Sequence, residues 1–261
     1  MPVSSPETPV VLLHGQPSTH VTWLPVHRLL GRLELFSPDR PGYGSNPAPA
    51  TDYPGNVQWL MKLLDDAGLE RALLVGHSWA GGIATLAAAR HPDRVAGLLL
   101  VSSVGPGCLL PQDYPLSWPG VGDALAYVGL RAARSLVRRQ AHRGLDRKVA
   151  AGDLAEVDES LRVQFDRPVW RSFVTEQRWL LRQLPMLEKT LPLIHTPTIV
   201  LAGTSDAVIP PDSYRKLCSR IAGSQLRLIP GVGHMLPLDV PDAVAHAIMD
   251  LLAYDTAGHA L

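Results

Sequence analysis

The sequence predicts an α/β protein in which helices cover both faces of a mostly parallel sheet. Three observations predict this fold class. Short apolar runs recur along the chain and end at Gly, Asp or Ser, helix-favouring segments lie between most of them, and the alternation breaks only once, between about residues 106 and 192. Runs that are apolar throughout, rather than at every second residue, are typical of strands buried on both faces.

The predicted elements follow one another in βαβ order. The predicted strands cover residues 10–13, 33–37, 72–75, 98–102, 198–202 and 225–229. The predicted helices cover residues 20–30, 56–67, 80–90, 212–222 and 241–253. This alternation indicates a doubly wound sheet with right-handed crossovers.

Residues 106–191 favour helix and contain no convincing buried strand. We interpret them as a helical cap inserted into one core domain, which is formed by residues 1–105 and 192–261. Aromatic side chains of the cap either form its core or line a substrate cavity. The four candidates for substrate contact are Trp118, Tyr127, Trp170 and Phe173. A basic run from Arg131 to Lys148 forms either a solvated helix face or a docking patch for an acidic partner or anionic substrate.

Composition narrows the class of protein. Apolar residues make up 46% of the 261 residues and charged residues 18%, which indicates a folded chain. The chain has 24 basic and 24 acidic residues, so its formal net charge is zero. A protein without a net positive charge does not attract nucleic acid as a whole, and we do not expect nucleic acid as a partner. The two cysteines, Cys108 and Cys218, have no paired spacing and indicate free thiols in a reducing compartment. Without a signal peptide or an apolar run of membrane-spanning length, we expect a cytoplasmic protein.

The segment GHSWAG, residues 76–81, directly follows one predicted strand and directly precedes a helix rich in Ala and Leu. A nucleophile elbow needs this context, because a strained strand-to-helix turn exposes the serine while small neighbours let the backbones approach closely. The sequence therefore predicts Ser78 as a nucleophile. The alternative is that Ser78 is only the N-cap of the following helix.

The loops after the last two predicted strands supply an acid and a base. Asp206 follows the strand at 198–202, and His234 follows the strand at 225–229. The order Ser, Asp, His is the one that this kind of fold requires, with the acid orienting the base. The rival acids are Asp239, which follows the histidine too closely, and Asp212, which is better placed to N-cap a helix.

The loop after the first strand, HGQP at residues 14–17, is the candidate oxyanion hole. The backbone N–H groups of Gln16 and Trp79 could both donate to the oxygen that becomes negative during attack on a carbonyl. We expect no metal or organic cofactor, because the sequence has neither HExxH nor paired-cysteine spacing.

Taken together, these segments resemble the α/β-hydrolase superfamily, in particular its small, cap-bearing bacterial esterases, perhydrolases and carbon–carbon bond hydrolases. The matching segments are HGQP (14–17), DRPGYGSNP (39–47), GHSWAGG (76–82), GTSDAVIP (203–210) and GVGHMLPLDVP (231–241). Two features depart from the family. Ala80 occupies the usual second glycine of GxSxG, and too few residues precede Val10 for the usual first hairpin. We therefore expect about six strands, with the strand at 33–37 as an edge that is covered or paired in a homodimer.

The resemblance implies a hydrolase that acts on a small molecule. The expected reaction is cleavage of a carboxylic ester, lactone or thioester through an acyl-enzyme on Ser78. The alternatives are carbon–carbon bond hydrolysis of a diketone-type substrate, or a non-hydrolytic biosynthetic or binding protein on the same fold. Ser rather than Asp at the nucleophile position argues against the haloalkane dehalogenases and epoxide hydrolases of the superfamily.

Overall fold

The computed structural model describes residues 8–132 and 169–257, and these residues form one sheet of six strands. The strands are β1 Val10–Leu13, β2 Leu35–Phe36, β3 Ala72–His77, β4 Val95–Val101, β5 Thr198–Gly203 and β6 Gln225–Ile229. Their order is β2-β1-β3-β4-β5-β6, and every neighbouring pair is parallel. The predicted fold class is confirmed, and the described residues form the expected six strands.

Helices cover both faces of this sheet. They are α1 Leu24–Leu29, α2 Tyr53–Asp66, α3 Trp79–Arg90, α4 Asp113–Ser117, α5 Val169–Thr190, α6 Pro211–Ser219, α7 Leu236–Asp239 and α8 Pro241–Ala257. Val11 and Leu13 of β1 pack with α2, α3 and α6, whereas Val10 and Leu12 pack with α1 and α8. Because successive strand residues face opposite sides and both sides are covered, the strand sequences are continuously apolar.

The helical insert between β4 and β5 contains α4, a helical segment at residues 121–132, and α5. Residues 133–168, with most of the basic run, lie outside the described residues. The side chains of Leu180 and Leu184 on α5 are buried in the same apolar cluster as α3. Helix α5 therefore shares the core of the sheet domain.

Most predicted elements differ from the observed ones by a few residues, and three of the differences have a clear physical cause. The helix predicted at 20–30 is a 3₁₀ turn at His20–Trp23 followed by α1, whose first turn holds Pro25. The edge strand is only two residues long, because β2 pairs with β1 at Val10 and Val11 alone. Helix α2 begins before residue 56, since the Asp52 side chain caps it by accepting from the N–H of Gly55 at 2.8 Å.

None of the helices within the described residues is long and apolar enough to cross a membrane.

Candidate active site

Ser78 lies in the turn between β3 and α3, with φ 56° and ψ −122°. A positive φ is strained for a residue with a side chain, so the turn must be held by its surroundings. The Ser78 N–H donates to the Val101 carbonyl at 2.9 Å, and the Ser78 carbonyl accepts from the Gly81 N–H at 3.0 Å. The Ser78 side chain makes no capping bond to α3, so the interpretation of Ser78 as only a helix cap is wrong.

The loops after β5 and β6 bring an acid and a histidine to this serine. The Nε2 atom of His234 lies 2.9 Å from Ser78 Oγ, and its Nδ1 atom lies 2.7 Å from Asp206 Oδ2. Because an ionised carboxylate only accepts hydrogen bonds, Nδ1 carries the proton and Nε2 presents its lone pair to the serine. The three residues predicted from the sequence thus form one hydrogen-bonded series.

The Asp206 carboxylate is held in place and kept ionised. Burial acts to raise its pKa, but hydrogen bonds from His234, Tyr214 and the backbone N–H of Ile209 hold that pKa below the usual value for aspartate. The side chain of Asp206 is fully buried, whereas the His234 side chain is 12% exposed. The carboxylate can therefore orient the imidazole and stabilise its protonated form.

The two rival acids lie elsewhere. Asp212 is in the first turn of α6 with an exposed side chain, and its closest charged partner is Arg215, at 3.9 Å. The prediction that Asp212 N-caps this helix is wrong, because Pro210 occupies the cap position and α6 begins at Pro211. Asp239 ends α7.

His77, beside the nucleophile, supports the loop that carries His234. Its Nε2–H donates to the backbone carbonyl of His234 at 3.1 Å, and the two ring centroids are 5.1 Å apart. Burial, followed by the proximity of His234, lowers the pKa of His77 to about 3. His77 is therefore a neutral donor at physiological pH.

The loop after β1 lies directly against the nucleophile. A Cβ atom added to Gly15 would lie 3.0 Å from the Cβ of Ser78, so the loop that carries Gln16 closely approaches the serine. Trp79 is the first residue of α3, where no preceding carbonyl of the helix can accept from its N–H. Both N–H groups predicted for the oxyanion hole thus belong to segments beside Ser78.

Arg40, in the loop after β2, is fully buried and joins the β1 loop to α5. Its guanidinium donates to the carbonyl oxygens of His14 at 2.8 Å and Gly15 at 3.0 Å. It also donates to both carboxylate oxygens of Glu176, at 2.5 and 3.2 Å, and the Tyr43 hydroxyl donates to the same carboxylate at 2.7 Å. Burial opposes the charge of Arg40, but Glu176 raises the pKa of Arg40 above its usual value.

Helix α5 also contacts both segments of the predicted oxyanion hole. The indole N–H of Trp79 donates to the Glu176 carbonyl at 3.1 Å, and Arg40 lies 4.9 Å from the centre of the Trp79 ring. The side-chain amide of Gln16 donates to Gln177 at 3.0 Å. The sequence analysis missed Glu176 and Gln177, because they lie within an unpunctuated helical pattern far along the chain.

The four aromatic residues predicted to contact substrate lie on the helical insert. Trp118 and Tyr127 are exposed. Trp170 packs edge-on against Tyr127, with ring centroids 6.0 Å apart, and Phe173 is half-buried on α5. Their contact with a substrate stays a prediction. Across residues 8–132 and 169–257, no group of three or more His, Cys, Asp or Glu residues could hold a metal ion.

The chain is similar in sequence and fold to known hydrolases. A family model described as the alpha/beta hydrolase fold matches residues 8–241. The chain is 27% identical over 255 residues to a 2-hydroxymuconate semialdehyde hydrolase of Pseudomonas sp. (strain CF600), covering 94% of this chain and 87% of the relative. It is also 27% identical over 255 residues to a 2-hydroxy-6-oxo-2,4-heptadienoate hydrolase of Pseudomonas putida, covering 94% and 89%.

Solved structures share the fold at lower identity. A thermophilic esterase from Thermogutta terrifontis superposes with a TM-score of 0.72 at 22% identity, covering 95% of this chain and 90% of the esterase. A haloalkane dehalogenase from Bradyrhizobium elkani superposes with a TM-score of 0.77 at 21% identity, covering 98% and 93%. These likenesses establish the fold, which hosts several different reactions.

Proposed function

The chain belongs to the α/β-hydrolase family, and on that premise we propose that it is a serine hydrolase that cleaves a carboxylic ester, lactone or thioester through Ser78. The observation that carries the proposal is the hydrogen-bonded series from Asp206 through His234 to Ser78, at 2.7 and 2.9 Å. A haloalkane dehalogenase reaction is not proposed, because a carboxylate would be needed at the position of Ser78.

The series supports acyl transfer in two steps. In the first, Ser78 Oγ attacks the carbonyl carbon while His234 Nε2 takes the hydroxyl proton, and the leaving group departs with that proton. In the second, water gives a proton to His234, attacks the acyl-enzyme and releases the acid, while Ser78 recovers its proton. Asp206 orients the imidazole and stabilises its positive charge in both steps.

The negative oxygen of each tetrahedral intermediate needs donors that are already in place. We assign this role to the backbone N–H groups of Gln16 and Trp79. Gln16 belongs to the β1 loop that approaches Ser78, and Trp79 directly follows Ser78 in the sequence. The N-terminus of α3 adds positive partial charge at the same point. We also propose that residues 106–191 act as the substrate-selecting cap.

The second candidate function is hydrolysis of a carbon–carbon bond next to a ketone. It is favoured by the two relatives above, which are named as hydrolases of 2-hydroxymuconate semialdehyde and of 2-hydroxy-6-oxo-2,4-heptadienoate. The same three side chains would serve, with attack on the ketone and departure of a stabilised carbanion that takes up a proton. Cytoplasmic location and a homodimer remain predictions.

The test is intact-mass analysis after treatment with a fluorophosphonate, followed by peptide mapping. We expect one adduct, on Ser78, that is absent from Ser78→Ala. Ser78→Ala and His234→Ala should each lower kcat on an activated ester by about 10⁴-fold or more, and Asp206→Asn by a smaller factor. A folded wild-type protein that forms no adduct would contradict the proposal and favour a binding or non-hydrolytic role.

A paired substrate assay then separates the two reactions. An activated ester and a vinylogous diketone with the same acyl group would be compared by kcat/KM. A higher value for the ester supports ester hydrolysis. A higher value for the diketone shows that the carbon–carbon reaction is the correct one.

A further inference from the structure

We propose that Tyr214 is a positioning residue for the base, and that its hydroxyl fixes the Asp206 carboxylate in the orientation that His234 requires. The inference rests on the proposed function, because it concerns the same three side chains. Tyr214 has no functional role in the sequence prediction, where it is one residue of the helix predicted at 212–222.

The Asp206 carboxylate accepts four hydrogen bonds, two at each oxygen. Oδ1 accepts from the backbone N–H groups of Val208 at 2.8 Å and Ile209 at 3.0 Å. Oδ2 accepts from the Tyr214 hydroxyl at 2.5 Å and from His234 Nδ1 at 2.7 Å. A carboxylate has about four lone-pair positions, so it is saturated and rotation would break several bonds at once.

Tyr214 is held so that its hydroxyl has a fixed direction. The residue lies on α6, is 0% exposed, and packs in the apolar cluster that contains Leu217 and Ile209. Burial, followed by the hydrogen bond to Asp206, raises the pKa of Tyr214 well above its usual value. The hydroxyl is therefore a donor, and never a phenolate, over any pH at which the protein is assayed.

Three described groups near this pair, Ser102, Cys108 and His77, are uncharged at neutral pH. Ser102, directly after β4, lies beside the Tyr214 hydroxyl, and this contact acts to lower the pKa of Tyr214. Burial raises the pKa of Cys108 to about 11 and lowers that of His77 to about 3. Asp206 is thus the charge that the Tyr214 hydroxyl acts on.

A donor on Oδ2 draws negative charge from the oxygen that faces His234. Without the Tyr214 hydroxyl, this oxygen would attract the imidazolium more strongly, so a higher pH would be needed to keep the base unprotonated. The carboxylate would also lose one of the bonds that prevents its rotation. If Tyr214 contributed only packing, its loss would lower the reaction rate by the same factor at every pH. The midpoint of the acid limb, which is the pH at which half of the maximal rate remains, would then stay unchanged.

The test is the pH dependence of fluorophosphonate inactivation, which needs no knowledge of the natural substrate. In Tyr214→Phe we expect the midpoint of the acid limb to move up by about half a pH unit, so that the rate at pH 6 falls by up to about threefold relative to the rate on the high-pH plateau. Tyr53→Phe is the matched control, because the Tyr53 hydroxyl is buried without a hydrogen-bond partner within the described residues. It should leave the midpoint unchanged.

Two further measurements separate positioning from structure. Replacing Tyr214 with 3-fluorotyrosine keeps the packing but strengthens the donor, so the midpoint should move down. In the Asp206→Asn background, Tyr214→Phe should change the rate by less than about twofold, because its effect passes through Asp206.

An equal loss of rate at every pH, an unshifted midpoint with 3-fluorotyrosine, or full additivity with Asp206→Asn would each overturn the role of Tyr214 and leave the proposed function intact. A wild-type protein without an adduct on Ser78 would overturn both.

Discussion

At the scale of the residue, the structure explains why Ala80 is accepted where the family usually has glycine. The close approaches in this turn fall on Gly76 and Gly81. A Cβ atom at Gly76 would lie 2.7 Å from the Ala80 carbonyl oxygen, and one at Gly81 would overlap Oγ and Cβ of Ser103. The helix can therefore carry a methyl group at Ala80, but space is lacking at the next residue.

Two Gly→Ala substitutions, both in helical segments, should have opposite effects. Gly81→Ala should lower the free energy of unfolding by about 1–3 kcal/mol, because Ser103 must move. Gly129→Ala should be neutral or stabilising by up to about 1 kcal/mol, because nothing lies within 4 Å of the added carbon and alanine favours helix. Urea unfolding measures both, and equal effects would show that the space around Gly81 is not limiting.

At the scale of the element, α5 is the helix that connects the insert to the loops after β1 and β2. Its Glu176 and Gln177 side chains bond to Arg40 and Gln16, and its apolar side enters the core. Because both charged side chains of the Arg40–Glu176 pair are fully buried, each depends on the other for its stabilisation.

Glu176→Gln should therefore be strongly destabilising, since it leaves the Arg40 charge buried without its counter-charge. We expect a loss of about 3–5 kcal/mol in the free energy of unfolding, measured with denaturant. Lys62→Met is the control, because it breaks the exposed Lys62–Asp66 pair on α2 and should cost less than about 1 kcal/mol. If the two variants lost similar stability, the buried pair would not be the link between α5 and the β1 loop.

At the scale of the whole molecule, two buried histidines couple folding to pH. His14 donates through Nδ1 to the Gly15 carbonyl at 2.8 Å and accepts the Arg40 N–H at Nε2, at 3.0 Å, so its ring must be neutral. Burial, followed by Arg40, lowers the pKa of His14 to about 3, and burial lowers that of His77 equally far. Both bases are buried unprotonated.

Stability should therefore fall as the pH drops from 7 to 5. In this range the unfolded chain takes up protons at both positions, near the ordinary pKa of 6.5, while the folded protein does not until about pH 3. Each histidine should cost about 2 kcal/mol of unfolding free energy between pH 7 and 5. His77→Gln keeps a donor for the His234 carbonyl and should remove about half of this combined loss, which urea titrations at the two pH values would measure. An unchanged loss in this variant would contradict the assignment.

Local pattern was enough to predict the sheet, because strands buried on both faces leave continuous apolar runs with turn residues after them. It was also enough to select Ser78, Asp206 and His234, since each follows a strand and parallel strands bring their carboxyl ends to one edge. The bounds of β2 and α2 were less predictable. An edge strand ends where its one neighbour stops pairing, and Pro54 and Gly55 hid the start of a helix that Asp52 caps.

The sequence by itself thus determined the fold class, the strand number and which three side chains form the hydrogen-bonded series of the candidate site. Only the tertiary structure decided what holds them: the Tyr214 hydroxyl bonds to Asp206, and Glu176, 136 residues from Arg40, holds that arginine beside the β1 loop. The physical reason is that propensity, periodicity and turn chemistry act between near neighbours along the chain. Which buried polar groups meet across distant elements depends on how α5 packs against the sheet domain, and many side chains together set that packing.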